Sequence, residues 1–173
     1  MINIKLLDNI SQDKDTLCEL LIDAVESGAA VGFLPPFAKW QAESYWENLN
    51  AQLSTSRLLF AAYSGNRLVG CVQLDLAQMP SARHRAEVQN IFVFRNRRGE
   101  GIGKLLMKAV EVKAREIDRR LLIADARMGD VAEHLLQRLD YNRVGIIPEY
   151  TKSADGSLHA TVIFCKYLAG QVN

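Results

Sequence analysis

Between Arg98 and Lys104 the chain reads Arg98-Gly99-Glu100-Gly101-Ile102-Gly103-Lys104, after an apolar run from Ile91 through Phe92 and Val93 to Phe94 and ahead of a strongly helical segment. A strand, a glycine loop and a helix in that order build an anion site. Without Cβ atoms, Gly99, Gly101 and Gly103 can take unusual φ/ψ values and come close to a ligand, so that successive N–H groups converge on one oxyanion. The helix N-terminus adds unpaired N–H groups and a partial positive charge of about half an electron. Phosphate is the natural guest of such a site.

Spacing separates the phosphate-binding patterns that compete for this stretch. A Walker loop, GxxxxGK[ST], requires Gly where Arg98 stands and Ser or Thr where Leu105 stands. A dinucleotide fingerprint, GxGxxG, begins at Gly99 and Gly101 but puts its third glycine on Lys104. What fits is Arg98-x-x-Gly101-x-Gly103, which resembles the acyl-CoA pyrophosphate loop of the GNAT superfamily of N-acetyltransferases, Gln/Arg-x-x-Gly-x-Gly/Ala. The competing reading is a tight turn in which Arg95, Arg97 and Arg98 form a solvated basic loop.

The rest of the chain has to position that loop. Its 173 residues, 49% of them apolar, suit one domain with a full core, and a net charge of +1 leaves no general attraction to nucleic acid or an anionic membrane. Cys18, Cys71 and Cys165 are odd in number, far apart and set in apolar runs, which argues against a disulfide framework or zinc site and for a reducing, cytoplasmic setting. No secretory h-region follows Met1, and no apolar run is long enough to span a membrane.

Taken in order, Ile2 to Leu7 reads as a first strand, and Ser11 is placed to cap a helix whose stripe is Leu17, Leu20, Leu21, Ala24 and Val25, stopped by Gly28. The apolar, glycine- and proline-broken stretch from Gly28 to Pro36 precedes a second helix from about Ala38 to Leu53. Strands follow over Leu58 to Tyr63 and Leu68 to Leu76, joined by the hairpin signal Ser64-Gly65-Asn66-Arg67, and a fourth runs from Ala86 to Phe94. The helix after the glycine loop turns Ile102, Leu105, Leu106, Ala109, Val110 and Ile117 inward and Lys104, Lys108, Glu111, Lys113 and Glu116 outward. Leu121 to Ala124 is a short apolar strand of the kind a buried parallel position needs, closed by Asp125. Val131 to Leu139 forms another helix with Val131, Leu135, Leu136 and Leu139 inward, and strands over Arg143 to Ile147 and Ala160 to Leu168 complete the chain. The order is α+β: a mixed, mostly antiparallel sheet of six to seven strands with a central parallel pair and about four helices.

Beyond the loop this order resembles the GNAT fold from end to end. Gly28-Ala29-Ala30-Val31-Gly32-Phe33, Arg85-Ala86-Glu87-Val88-Gln89 and the tail with Arg143-Val144-Gly145, Pro148, Tyr150, Asp155-Gly156 and Leu158-His159 look like the tabtoxin-resistance acetyltransferase type. The resemblance implies acetyl-CoA as cosubstrate, with Arg98 to Lys104 (Arg98, Gly99, Glu100, Gly101, Ile102, Gly103 and Lys104) around the pyrophosphate. It also implies that the backbone of Ile91, Phe92 and Val93 pairs with the pantetheine amides like an added strand, one N–H polarising the thioester carbonyl. Deprotonating a lysine-like amine at neutral pH costs about 4.6 kcal/mol, part of which a general base can supply. Glu87 and Asp125, on strands that meet the cofactor, are the candidate pair, and the tabtoxin-resistance type implies the same two. The alternative for Glu87 is a surface carboxylate paired with Arg85 or His84, and for Asp125 a turn residue ahead of the next helix.

In many GNAT enzymes a tyrosine on the helix after the fifth strand protonates the departing thiolate. Here Ala132-Glu133-His134-Leu135-Leu136 puts Leu136 at that place, leaving Tyr141 and Tyr150 as substitutes beside a thiolate that leaves without much help. His84, His134 and His159 show no metal-ligand spacing, so no metal is assigned. The expected activity is acetyl transfer to an amine, or a hydroxyl, of a small molecule in a detoxifying role. A protein or peptide acceptor and a catalytically silent acyl-CoA binding module are the alternatives. Neither nucleic acid nor membrane is expected as a partner, and a homodimer stays open.

Overall fold

The computed structural model describes residues 1–168. β1 (Ile2–Leu7) precedes the helices α1 (Lys14–Glu26) and α2 (Lys39–Asn50), followed by β2 (Arg57–Ser64), β3 (Arg67–Leu76), β4 (Arg85–Val93), α3 (Ile102–Glu116), β5 (Leu121–Arg127), α4 (Val131–Arg138), β6 (Asn142–Lys152) and β7 (Leu158–Tyr167). The strands form one sheet in the order β1-β2-β3-β4-β5-β7-β6. Its single parallel ladder joins β4 to β5, the pair linked by the α3 crossover, while the other neighbours run antiparallel. This is the expected α+β order, with the parallel pair inside the sheet.

Strand alternation sorts the core into two layers. On one face Ile102, Leu106, Met107 and Val110 of α3 and Leu136 of α4 pack on Val88, Leu122, Ala124, Val162 and Phe164. On the other, the α1 stripe and Ala42, Trp46 and Leu49 of α2 pack on Leu59, Ala61, Cys71 and Phe92. Trp46, fully buried, donates its indole N–H to the Leu17 carbonyl at 2.8 Å, which ties α2 to α1.

Several local expectations are corrected. Ser11 does not cap α1: the helix begins after Asp13, with no side-chain cap bond. Leu105 is exposed, whereas Glu111 is buried, because Lys166 Nζ reaches its carboxylate at 2.8 Å and neutralises it. Val131 is exposed at the first turn of α4. β5 continues past Ala124 to Arg127, because β7 pairs with it residue by residue as far as Arg127 and Thr161. Asp125 therefore lies inside a strand, and it is Asp130 that stands at the N-cap of α4.

Candidate active site

The parallel ladder runs only from Arg85 opposite Leu121 to Val88 opposite Ala124, although β4 goes on to Val93 and β5 to Arg127. Beyond Val88 the strands part, leaving a cleft with one open strand edge on β4. The N–H of Phe94 bonds back to Val69 on β3 at 3.2 Å. By alternation the N–H of Phe92 also faces β3, so those of Ile91 and Val93 face the cleft. A bulge precedes them: the register passes from Gln73 opposite Gln89 to Cys71 opposite Phe92, so β4 holds one residue more than β3, and Asn90 has φ +52°.

At the end of β4 the glycine loop turns into α3. Gly99 (φ +83°) and Gly101 (φ +78°, the N-cap) occupy left-handed conformations, and a Cβ on either would meet nothing within 4 Å, so backbone conformation, not space, demands glycine there. Gly103 differs from the expectation. It is helical, and an added Cβ would lie 3.1 Å from Leu135 Cδ2, which makes it a packing position between α3 and α4. Among the described residues, no hydrogen bond ties the backbone N–H groups of 99–104 to a protein acceptor; the first engaged one is Leu105 N–H, to Gly101 O at 3.1 Å. These are the orphan donors of a helix start, open at the surface.

The loop's side chains are less free than its amides. Arg97 grips Glu100 through two bonds of 2.7 and 2.8 Å, which lowers the pKa of the Glu100 carboxyl. Arg98 donates to Ser27 Oγ at 3.0 Å and to the Val93 carbonyl at 3.2 Å, so it joins the end of α1 to the β4 edge. Ile102 is buried in the core and Lys104 is exposed. Arg95, itself exposed, pairs with Asp23 at 2.7 Å, so each of the three arginines keeps a protein partner.

Glu87 and Asp125 share the α1/α2 face of the sheet. Glu87 stands opposite Ile123, and Asp125 lies two residues farther along β5, the diagonal position at the point where the strands part. Glu87 is exposed, forms no ion pair with Arg85 or His84, and has Asp75 directly across on β3. Asp125 keeps an exposed outer surface, yet neighbouring chain crowds its carboxyl, and this burial pushes its pKa above the ordinary 3.8; the Thr161 hydroxyl, 3.4 Å away, opposes the shift.

Leu136, at the place of the tyrosine, is fully in the core. Tyr141 is also buried, with its hydroxyl unpaired and its pKa pushed up by desolvation, on the α3 side away from the carboxylates. Tyr150 is exposed and lines a cavity of about 250 Å³ together with Ala29 to Pro35 and Arg127. A second, more open cleft of about 480 Å³ is lined by Ser27, Gly28, Arg127, Asp130, Ser153, Asp155 and His159. Both begin beyond Asp125 on β5, and neither is lined by Glu87, Asp125 or the glycine loop. Within the Gly28 to Pro36 stretch Phe33 packs tilted against Phe37 at 4.7 Å and edge-on to Tyr45 at 5.6 Å, while its neighbours wall a cavity.

Arg127 is the residue that a strand ending at Asp125 leaves unnoticed. It donates to the Gly28 carbonyl at 3.0 Å and to Ser153 Oγ at 3.2 Å, and pairs with Asp130 at 3.1 Å. Its signal was the alternation of Ile123, Asp125 and Arg127, which continues the same face of the strand. No group of three or more His, Cys, Asp or Glu side chains among the described residues is arranged to hold a metal ion. No helix among them is long and apolar enough to cross a membrane.

Residues 17–141 match the model of the acetyltransferase (GNAT) family. The chain belongs to that family. This acetyltransferase is 28% identical over 129 residues, 73% of its own length and 76% of the relative's, to an uncharacterized N-acetyltransferase in the hisH-hisA intergenic region of Azospirillum brasilense. Its fold is shared by the ribosomal-protein-alanine N-acetyltransferase of Brucella melitensis, with a TM-score of 0.76 and 23% identity over 97% of this chain and 99% of the other. It is also shared by yncA of Salmonella typhimurium, solved with its cofactor acetyl-CoA, with a TM-score of 0.78 and 15% identity over 99% of this chain and 96% of the other. The acetyltransferase has the GNAT fold, and it belongs to a family that uses acetyl-CoA as the acyl donor.

Proposed function

We propose that this acetyltransferase, a single GNAT domain, moves the acetyl group of acetyl-CoA to an amine of a small molecule, in the manner of the tabtoxin-resistance type and in a detoxifying role. The observation that carries the reading is the row of unengaged amides from Gly99 to Lys104 at the start of α3, next to the open edge of β4. The amides of Gly99, Glu100, Gly101, Ile102, Gly103 and Lys104 hold the diphosphate, with Arg98 shaping the loop from behind. Ile91, Phe92 and Val93 supply the strand edge along which the pantetheine lies. Glu87 takes the acceptor's proton, through a water held between it and Asp125. Asp125, its pKa raised by burial, holds a proton more readily than an ordinary carboxylate and so can pass one along that water. The cavity of about 250 Å³, walled by the 28–35 stretch and the turn after β6, suits a small acceptor more than an extended peptide.

The deciding experiment is Gly101→Val. A β-branched residue cannot hold φ +78° without strain and shields the amides beside it, so acetyl-CoA affinity should fall by about a hundredfold or more while the circular-dichroism spectrum stays folded. Unchanged affinity removes the loop from the reading. Thiol release from acetyl-CoA across a panel of small amines and N-terminal peptides then separates the small-molecule acceptor from a peptide one.

A further inference from the structure

A chain of polar side chains crosses the α1/α2 face of the sheet and ends at the β4 bulge. Gln73, fully buried in the middle of β3, donates from Nε2 to Tyr45 Oη at 2.7 Å and accepts at Oε1 from Arg57 Nη1 at 3.2 Å. Arg57 Nη2 reaches Asp75 at 2.7 Å, so the guanidinium is neutralised at the far end. From the other side Asn90 Nδ2 donates to the same Tyr45 oxygen at 2.8 Å, while the phenol proton is directed at Gln73 Oε1, 3.1 Å away. Tyr45 is thus the junction at which helix α2, strand β3 and the bulge residue of β4 meet.

The position of Asn90 gives the junction its consequence. It is the left-handed residue of the bulge, and it immediately precedes Ile91, the first residue whose N–H faces the cleft. A bulge re-aims the backbone that follows it, and the part of the network next to it is closed by mutual bonds among Gln73, Tyr45 and Asn90, the one buried unpartnered atom, Arg57 Nε, lying at the far end. Held by α2 through its side chain, Asn90 cannot relax its peptide plane independently of the helix. We propose that Tyr45 is a positioning residue for acetyl transfer: by tethering Asn90 it fixes the bulge, and with it the direction in which the Ile91 N–H meets the thioester carbonyl. This rests on the reading that the open edge of β4 receives the thioester arm.

The test uses the full chain and acetyl-CoA labelled with carbon-13 at the acetyl carbonyl, read by infrared difference spectroscopy. In the wild type the bound carbonyl band lies below that of free acetyl-CoA, as hydrogen bonding to an aimed N–H requires. Tyr45→Phe loses at least half of that shift. Its affinity for 3′-phospho-ADP, the part of the donor that lacks the pantetheine arm, stays within about twofold, because the phosphate loop is remote and shares no partner with Tyr45. Asn90→Gly, which keeps the left-handed backbone accessible while removing the side chain, loses the shift to the same degree, and the double variant loses no more than either single one, since both cut the same tether. An unchanged band in Tyr45→Phe, or additive losses in the double variant, overturns the proposal while leaving the β4 edge in place as the thioester seat. A wild type that binds acetyl-CoA with no shift of the band removes that seat, and the proposal with it.

Discussion

The two faces of the sheet bury polar groups to different ends. On the α3 face Glu111, Lys166 and Tyr141 form a closed set: Lys166 Nζ is 2.8 Å from Glu111 and 2.7 Å from the Leu139 carbonyl, and 5.3 Å from the centre of the Tyr141 ring. Arg115 stands 3.8 Å from the same carboxylate, and no hydrogen bond among the described residues leads from this set to the cleft. On the α1/α2 face the set running from Asp75 through Arg57, Gln73 and Tyr45 to Asn90 is a line with one end at the bulge, and Glu87 and Asp125 stand on the same side. Burial alone does not mark polar groups as functional; what marks them is whether their hydrogen bonds end inside the core or at an unpaired strand edge.

The contrast can be broken at three points. The largest effect belongs to Lys166→Met, which removes the nearer partner of the Glu111 carboxylate, a side chain only 10% exposed, and leaves it Arg115 alone at 3.8 Å. Unfolding stability in urea should fall by about 3 kcal/mol, whereas the affinity of the folded protein for acetyl-CoA should not change. A loss of affinity in step with stability would show that the two faces are coupled. Glu87→Gln should do the reverse. With Glu87 as the base proposed above, kcat/KM for a reactive amine falls about a hundredfold and the rising limb of the pH profile is lost, with melting temperature unchanged because Glu87 is exposed and holds no ion pair among the described residues. A wild-type profile would place the base elsewhere.

The smallest effect is on pH-dependent stability. Asp125 has its folded pKa raised above 3.8, so as pH climbs through that region the native state holds its proton longer than the unfolded chain does. Stability contributed at low pH is then lost as pH rises through the folded value. Asp125→Asn removes the titrating group, so its melting temperature should gain on the wild type as pH is raised from 3.8 toward neutrality. The gain is small because the carboxylate is partly solvated. Identical pH profiles of melting for the two proteins would mean that the crowding around Asp125 has no energetic weight.

Much of this molecule is legible in its sequence because period and punctuation agree. β1 lies where alternation puts it, α1 buries its whole stripe, and Gly65-Asn66 turns the hairpin between β2 and β3. The glycine loop was legible from spacing, but of the three glycines expected to take an unusual backbone only Gly99 and Gly101 are left-handed, and Gly103 is helical. The misreadings share one cause, long-range partners that local pattern does not contain. Glu111 looks like a surface residue until β7 brings Lys166 to it, and β5 looks finished at Asp125 until β7 extends it by pairing. The polar junction was hidden for the same reason: Tyr45, Gln73 and Asn90 come from three separate elements, and only a lone glutamine inside the apolar Val69 to Leu74 run hinted at a buried partner.

Arg127 binds together three pieces of chain that are distant in sequence: the turn after α1 at Gly28, its own strand end with Asp130, and Ser153 at the end of β6. Anyone retargeting this enzyme by transplanting the 28–36 segment alone would cut one leg of that tripod and let the Ser153 turn drift. A graft that keeps its shape has to move all three pieces as one cassette.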